Sequence, residues 1–116
     1  MTEPKRVPSL SDAVALSYGE LDWRRLQEGI EIAHLLKDRD REFTMVLLRF
    51  APGATAVRHV HPEGEQYLML EGSLVDGDRT LGRGDFVNHP PGSVHAPSST
   101  TGALILVTWF GKLSVS

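Results

Sequence analysis

Two stretches decide the fold: GATAVRHVHPEGEQYLMLEG, residues 53–72, and GDFVNHPPGSVH, residues 84–95. In both, short apolar segments are separated by Gly and Pro, which is typical of strands joined by tight turns in antiparallel sheets. Side chains two residues apart on a strand point to the same face, so His59 and His61 are predicted to face one side together.

The same pattern extends outward from these stretches. Asp76-Gly77 is the strongest hairpin signal in the chain. A closed barrel is favoured over an open sheet because closure removes exposed strand edges, and almost no room is left for helix. The sequence therefore predicts an all-β domain with strands at 30–36, 43–50, 56–61, 65–71, 74–75, 79–81, 85–88, 95–97 and 103–110.

The length of 116 residues suits one domain with one core, and the absence of cysteine excludes disulfides and thiolate ligands. We predict a barrel over residues 29–112 and a short C-terminal tail at 113–116. Residues 1–28 are expected to be either a tail or an arm that is exchanged between chains, and we expect a homodimer.

Charge and hydropathy exclude several classes of partner. The formal net charge is −3, and basic residues lie beside acidic ones, as in residues 37–41, which argues against nucleic acid. The longest apolar runs are far shorter than the roughly 20 residues of a membrane helix, and no signal-peptide pattern begins the chain. These features predict a cytoplasmic protein that binds neither nucleic acid nor a membrane.

A metal site is predicted at His59, His61, Glu65 and His95. The turn at 62–64 can return the chain so that Glu65 lies beside the two imidazoles, and a barrel can bring His95 next to them. Three imidazoles and one carboxylate suit a divalent ion such as Zn²⁺, Fe²⁺, Mn²⁺ or Ni²⁺. The alternative for any single histidine is an ordinary hydrogen-bonded or surface residue.

These residues resemble the two sequence motifs of the cupin superfamily. The first motif is matched by a glycine, two histidines, a glutamate and a second glycine, and the second by a glycine, a proline, a glycine and a histidine. Ser99 stands where the family usually has Asn. The resemblance implies an antiparallel double-stranded β-helix, the cupin jelly-roll barrel, with four metal ligands. The matched positions are Gly53, His59, His61, Glu65, Gly72, Gly84, Pro90, Gly92 and His95.

The amino-acid sequence of residues 47–78 and 84–107 is similar to that of the cupin domain of ChrR-type anti-sigma factors and their stand-alone relatives. This resemblance implies three possible functions. One is a metal-dependent dioxygenase acting on a small ketone-type substrate. The second is a module without catalysis that senses a small molecule or an oxidant, and the third is a small-molecule-binding or isomerase-type cupin.

For an enzyme, Glu65 is the candidate catalytic residue, acting as ligand or proton acceptor. Candidate substrate contacts are polar, aromatic or apolar side chains on the predicted strands. Each has an alternative as barrel filling, a solvated strand residue or a hydrogen-bonded structural residue. They are Arg49, Tyr67, Met69, Phe86, His34 and Trp109.

Overall fold

The computed structural model describes residues 6–111, and these residues form an antiparallel β fold. The described helical structure is one 3₁₀ turn at Tyr18–Glu20. No helix in this range has the length and apolarity to cross a membrane. The strands are β1 Arg24–Gln27, β2 Ile30–Asp38, β3 Phe43–Phe50, β4 His59–His61, β5 Glu65–Asp76, β6 Arg79–Gly82, β7 Phe86–His89, β8 Ser93–His95 and β9 Ala103–Phe110.

The strands form a large sheet and a small one. The large sheet has the order β1-β2-β3-β9-β5-β6, with β7 also paired to β5, and the small sheet pairs β4 with β8. All of these pairs are antiparallel. This arrangement confirms the predicted antiparallel all-β fold.

One face of the large sheet holds the core because strand side chains alternate. On β3, Val46, Leu48 and Phe50 are buried together, and on β9 the buried residues Ala103, Ile105 and Val107 follow the same period. Tyr67 and Met69 of β5 join the same cluster. The barrel is therefore filled by alternate residues of its central strands.

Strand β5 differs from the prediction of two strands, 65–71 and 74–75, because it runs unbroken from Glu65 to Asp76. Its register against β9 shifts between Met69 and Glu71. Gly72 then adopts φ 77°, and a Cβ there would lie 2.0 Å from the carbonyl oxygen of Gly102. A glycine is required at this close approach. Beyond it, the strand pairs with β6 instead of β9 and β7.

The strands predicted at 56–61, 85–88 and 95–97 are also shifted. Strand β4 begins only at His59, β7 lies one residue later than predicted, and β8 ends at His95. Ala56 still donates its N–H to the Pro97 carbonyl over 2.8 Å, but this segment makes only isolated contacts. Irregular pairing beside the small sheet explains why an apolar pattern misplaces the ends of these strands.

Ser99 replaces the usual cupin asparagine and still makes a buried hydrogen bond. Its hydroxyl donates to the Ser73 carbonyl over 2.6 Å, and the residue is 1% exposed. Its backbone N–H donates to the Ala54 carbonyl, and its carbonyl accepts from Gly53 N–H. The serine therefore ties the loop after β8 to β5 and to the first motif.

The described part of the N-terminal segment lies against its own barrel. β1 pairs with β2, and the N–H of Lys37 donates to the Pro8 carbonyl over 2.9 Å. Residues 24–27 thus extend the large sheet beyond the barrel boundary expected at residue 29. Exchange of this arm between chains stays a prediction, and the predicted tail at 113–116 lies outside the described residues.

Candidate metal centre

The small sheet brings three histidines together. His59 lies opposite His95 in the β4–β8 register, and His61 shares the face of His59 because the two are separated by one residue. The ring centroid of His59 lies 4.5 Å from that of His61 and 4.7 Å from that of His95. The centroids of His61 and His95 are 5.4 Å apart. The local strand pairing alone therefore assembles the three imidazoles.

Glu65 completes the cluster from the next strand. Gly64 N–H donates to the His61 carbonyl, which closes the turn and starts β5 beside β4. The Glu65 Oε2 atom lies 2.8 Å from His61 Nε2, and Oε1 lies 3.2 Å from His95 Nε2. Glu65 is 4% exposed, and one ligand atom from each of the four residues lies within 4.8 Å of the others.

Two buried nitrogens in this cluster have no hydrogen-bond partner. His61 Nε2 and His95 Nε2 approach the carboxylate closely, but neither is aligned with it as a hydrogen bond requires. Orphaned buried polar atoms are costly. A divalent metal bound by these donors would satisfy both nitrogens, because neutral imidazole nitrogens and carboxylate oxygens are ordinary ligands of such ions. The donor set therefore fits a metal ion.

Surrounding groups orient the ligands. The Val57 carbonyl lies 2.5 Å from His59 Nδ1, and because a carbonyl only accepts, Nδ1 carries the proton and Nε2 faces the cluster. Asp76 Oδ2 lies 3.3 Å from His95 Nδ1. It likewise keeps the proton on Nδ1 and directs Nε2 of His95 toward the cluster. Such contacts from outside the ligand set fix ring orientation at metal sites.

Trp109 supports the cluster from β9. Its Nε1–H donates to Glu65 Oε2 over 2.5 Å. Its ring is stacked on His61, with centroids 6.0 Å apart and planes at 21°. The indole therefore restrains the carboxylate of Glu65 and the imidazole of His61 at once.

The electrostatics differ between the ligands. Burial would raise the pKa of Glu65, but His61, His95 and the Trp109 N–H outweigh it and lower the pKa to about 2. Burial would lower the pKa of His95, but Asp76 and Glu65 raise it to about 9. Burial and the neighbouring His61 and His95 lower the pKa of His59. Without metal, the His95 imidazolium is thus held between two carboxylates.

Three of the residues predicted to contact substrate lie on the core face. Trp109 contacts the cluster directly, as described above. Tyr67 is 2% exposed and donates its hydroxyl to Asp76, while burial and that carboxylate raise its pKa. Met69 is 1% exposed and belongs to the core. Trp109 thus contacts the cluster itself, Tyr67 contacts the neighbouring Asp76, and Met69 fills the barrel.

The other three are not brought to the cluster. Arg49 alternates out of phase with the core residues of β3, lies over the Trp23 ring at 3.9 Å and pairs with Glu31. Phe86 is 60% exposed on the outer face. His34 is half-buried on β2, which β3 and β9 separate from β5. Strand alternation places the first two away from the site, and sheet order places the third away from it.

Sequence reasoning missed Asp76 and His89, which adjoin the cluster. Asp76 is the last residue of β5, and its Oδ2 accepts from His89 Nε2 over 2.8 Å. The ring of His89 is 4.4 Å from that of His95. The structure places His89 opposite Glu65 across the β5–β7 pair. The available signal in the sequence was its place directly before the motif proline, Pro90.

Solved structures with similar folds include several cupins. An RmlC-like cupin from Ralstonia eutropha has a TM-score of 0.76 and 18% identity, covering 86% of this chain and 69% of that one. An acetylacetone dioxygenase from Acinetobacter johnsonii has a TM-score of 0.77 and 14% identity, covering 96% and 81%. At these identities the likeness establishes the fold.

A third similar structure is the complex of SigE with the anti-sigma factor ChrR from Rhodobacter sphaeroides, with a TM-score of 0.72 and 24% identity. The match covers 80% of this chain and half the length of that one. No curated protein matches the sequence. The profile of the ChrR cupin-like domain matches residues 11–113, nearly the whole chain. The chain therefore belongs to the ChrR cupin-like family, which confirms the resemblance seen in residues 47–78 and 84–107.

Proposed function

We propose that this protein binds one divalent metal ion through His59, His61, Glu65 and His95. The observation that carries the proposal is the pair of buried Nε2 atoms without hydrogen-bond partners, which face an ionised carboxylate. Leaving the two nitrogens buried without a hydrogen-bond partner costs several kcal/mol by the usual estimate for polar groups, whereas a bound cation would satisfy both nitrogens and the charge of the carboxylate. The ligand types admit Zn²⁺, Fe²⁺, Mn²⁺ or Ni²⁺.

We further propose that the bound metal serves a dioxygenase reaction on a small ketone-type substrate. Four protein ligands leave open positions on a six-coordinate ion, where a metal centre can polarise an oxygen-bearing molecule. The fold likeness to an acetylacetone dioxygenase over 96% of this chain supports this use. Within the chain, the Trp109 N–H holds the Glu65 carboxylate in place, and Glu65 is the candidate proton acceptor.

A second candidate function is a sensing module whose metal site alters a surface read by a partner protein. The match to the ChrR cupin-like family over residues 11–113 favours it, as does the fold likeness to the SigE–ChrR complex. The third alternative, a cupin that binds or isomerises its ligand without metal, is less well supported because it leaves the buried nitrogens unsatisfied.

Oxygen uptake separates the first two functions. We expect Fe²⁺-loaded protein to consume oxygen with some member of a panel of β-diketones and hydroxyaryl ketones. Glu65→Gln should abolish this consumption, whereas Glu63→Gln, an exposed neighbour in the same turn, should leave it unchanged. Silence across the panel, together with specific capture of a sigma factor by the metal-loaded protein, would favour the sensor instead.

A further inference from the structure

Asp76 is a buried carboxylate outside the four-residue cluster. It is 9% exposed, and one oxygen, Oδ2, accepts hydrogen bonds from the Tyr67 hydroxyl at 2.5 Å, His89 Nε2 at 2.8 Å and His95 Nδ1 at 3.3 Å. Buried carboxylates are retained when several donors satisfy them. Three converging donors make Asp76 the centre of a second polar network, joined to the first through His95.

The network could also be read as a second metal site, because Asp76, His89 and His95 offer ligand atoms within 4.8 Å of one another. The two clusters differ in how their nitrogens are directed. Around Asp76 the imidazole nitrogens are aligned in hydrogen bonds to the carboxylate. Around Glu65 two buried nitrogens are close to the carboxylate but not aligned with it. A nitrogen whose proton is hydrogen-bonded has no lone pair free for a metal. The Asp76 network is therefore a hydrogen-bonded support for His95 and not a second metal site.

Strand β5 gives this support its geometry. Glu65 is the first residue of the strand and Asp76 is the last, and the bend at Gly72 lets both ends reach His95 from opposite sides. Strand β8 is only three residues long and pairs with β4 alone. A ligand on so short a strand needs an anchor from elsewhere in the barrel.

We propose that Asp76 is a positioning residue of the metal centre, holding His95 in the tautomer and orientation that present Nε2 to the metal. His89 and Tyr67 hold Asp76 in turn. This inference rests on the proposed metal binding. Loss of such a partner from outside the ligand set typically lowers metal affinity by about 10- to 100-fold.

The test is a titration of the full metal-free chain with Co²⁺ and with Zn²⁺, in competition with a chromophoric chelator. Asp76→Asn keeps the shape of the side chain and removes its charge. We expect this variant to bind about 10- to 100-fold more weakly than wild type and to shift the Co²⁺ d–d absorption band. The matched control, Asp78→Asn, makes the same change at an exposed position of the same hairpin and should keep the wild-type affinity and spectrum.

Circular dichroism of the metal-free variants checks folding. If Asp76→Asn does not fold, Tyr67→Phe removes one hydrogen bond to Asp76 and should still weaken Co²⁺ binding. Wild-type affinity and an unchanged Co²⁺ spectrum in the folded variant would overturn the inference while leaving the metal site intact. Two bound ions per wild-type chain, one of them lost in His89→Gln, would overturn it in favour of a second site. A wild-type chain that binds no metal would refute the proposed function itself.

Discussion

Metal affinity at this site is predicted to rise steeply with pH up to about 9. In the metal-free protein, burial would lower the pKa of His95, but Asp76 and Glu65 raise it to about 9. A metal can bind Nε2 only after its proton leaves, while the Nδ1 proton stays on the hydrogen bond to Asp76. Because the pKa is raised, the proton competes with the metal at every pH below it.

The size of the effect follows from the distance to that pKa. At pH 7 the group lies about two pH units below its midpoint, which weakens apparent affinity about 100-fold, or about 3 kcal/mol. The side chain of His95 is 6% exposed, so solvent screens this effect little. Glu65, with its pKa lowered to about 2, is already ionised across this range and adds nothing to the slope.

The assay is chelator competition with Zn²⁺ from pH 6.5 to 9.5, with calorimetry in buffers of different ionisation enthalpy to count released protons. Affinity should rise about tenfold per pH unit and then level off, with about one proton released from His95 per ion at pH 7. His34→Gln, a change at a half-buried histidine outside the cluster, is the control and should keep the slope. A flat affinity between pH 6.5 and 9 would refute the reasoning.

Three further outcomes are expected. Trp109→Phe keeps the ring and removes the N–H that Glu65 accepts, so metal affinity should fall by about tenfold in chelator competition. Ser99→Ala removes the hydroxyl that donates a hydrogen bond to the Ser73 carbonyl. It should lower the free energy of unfolding in urea by about 1–2 kcal/mol. Sedimentation velocity should show a homodimer for the full chain and a shift toward monomer when the first ten residues are deleted.

Each of these has a control or a contrary result. Trp23→Phe changes the other tryptophan, which lies over Arg49, and should leave metal affinity unchanged. Ser98→Ala removes a neighbouring hydroxyl with no described hydrogen bond and should cost less stability than Ser99→Ala. Equal effects within either pair would contradict the assigned contacts, and a monomeric full chain would contradict the dimer.

The cluster itself could be anticipated from sequence because its geometry is mostly local. The period of a strand places His59 and His61 on one face, and a three-residue turn returns Glu65 beside them. His95 required the matched spacing of a second motif, since it comes from a distant strand. These four residues were predicted as a group, and the structure places their donor atoms within 4.8 Å.

The surrounding network could not be predicted because it depends on long-range bending and pairing. Asp76 reaches His95 only because β5 continues through Gly72 and curves, whereas the apolar pattern breaks there. Arg49 and Phe86 show the opposite case. Successive side chains of a strand point to opposite faces, and both residues alternate with buried or partly buried neighbours, so they lie on the outer face. Applying this rule to every candidate would have removed both from the predicted substrate contacts.

The most direct test of the central claim is the metal content of the full chain, purified without chelator and measured by mass spectrometry against protein concentration. The account predicts about one equivalent of divalent metal per chain, as four protein ligands at one centre imply, and its loss in His61→Ala. Exposed Glu63→Gln should retain the metal. A metal-free wild-type chain that takes up none on dialysis against Zn²⁺ or Fe²⁺, or a His61→Ala variant that keeps its full equivalent, would contradict it.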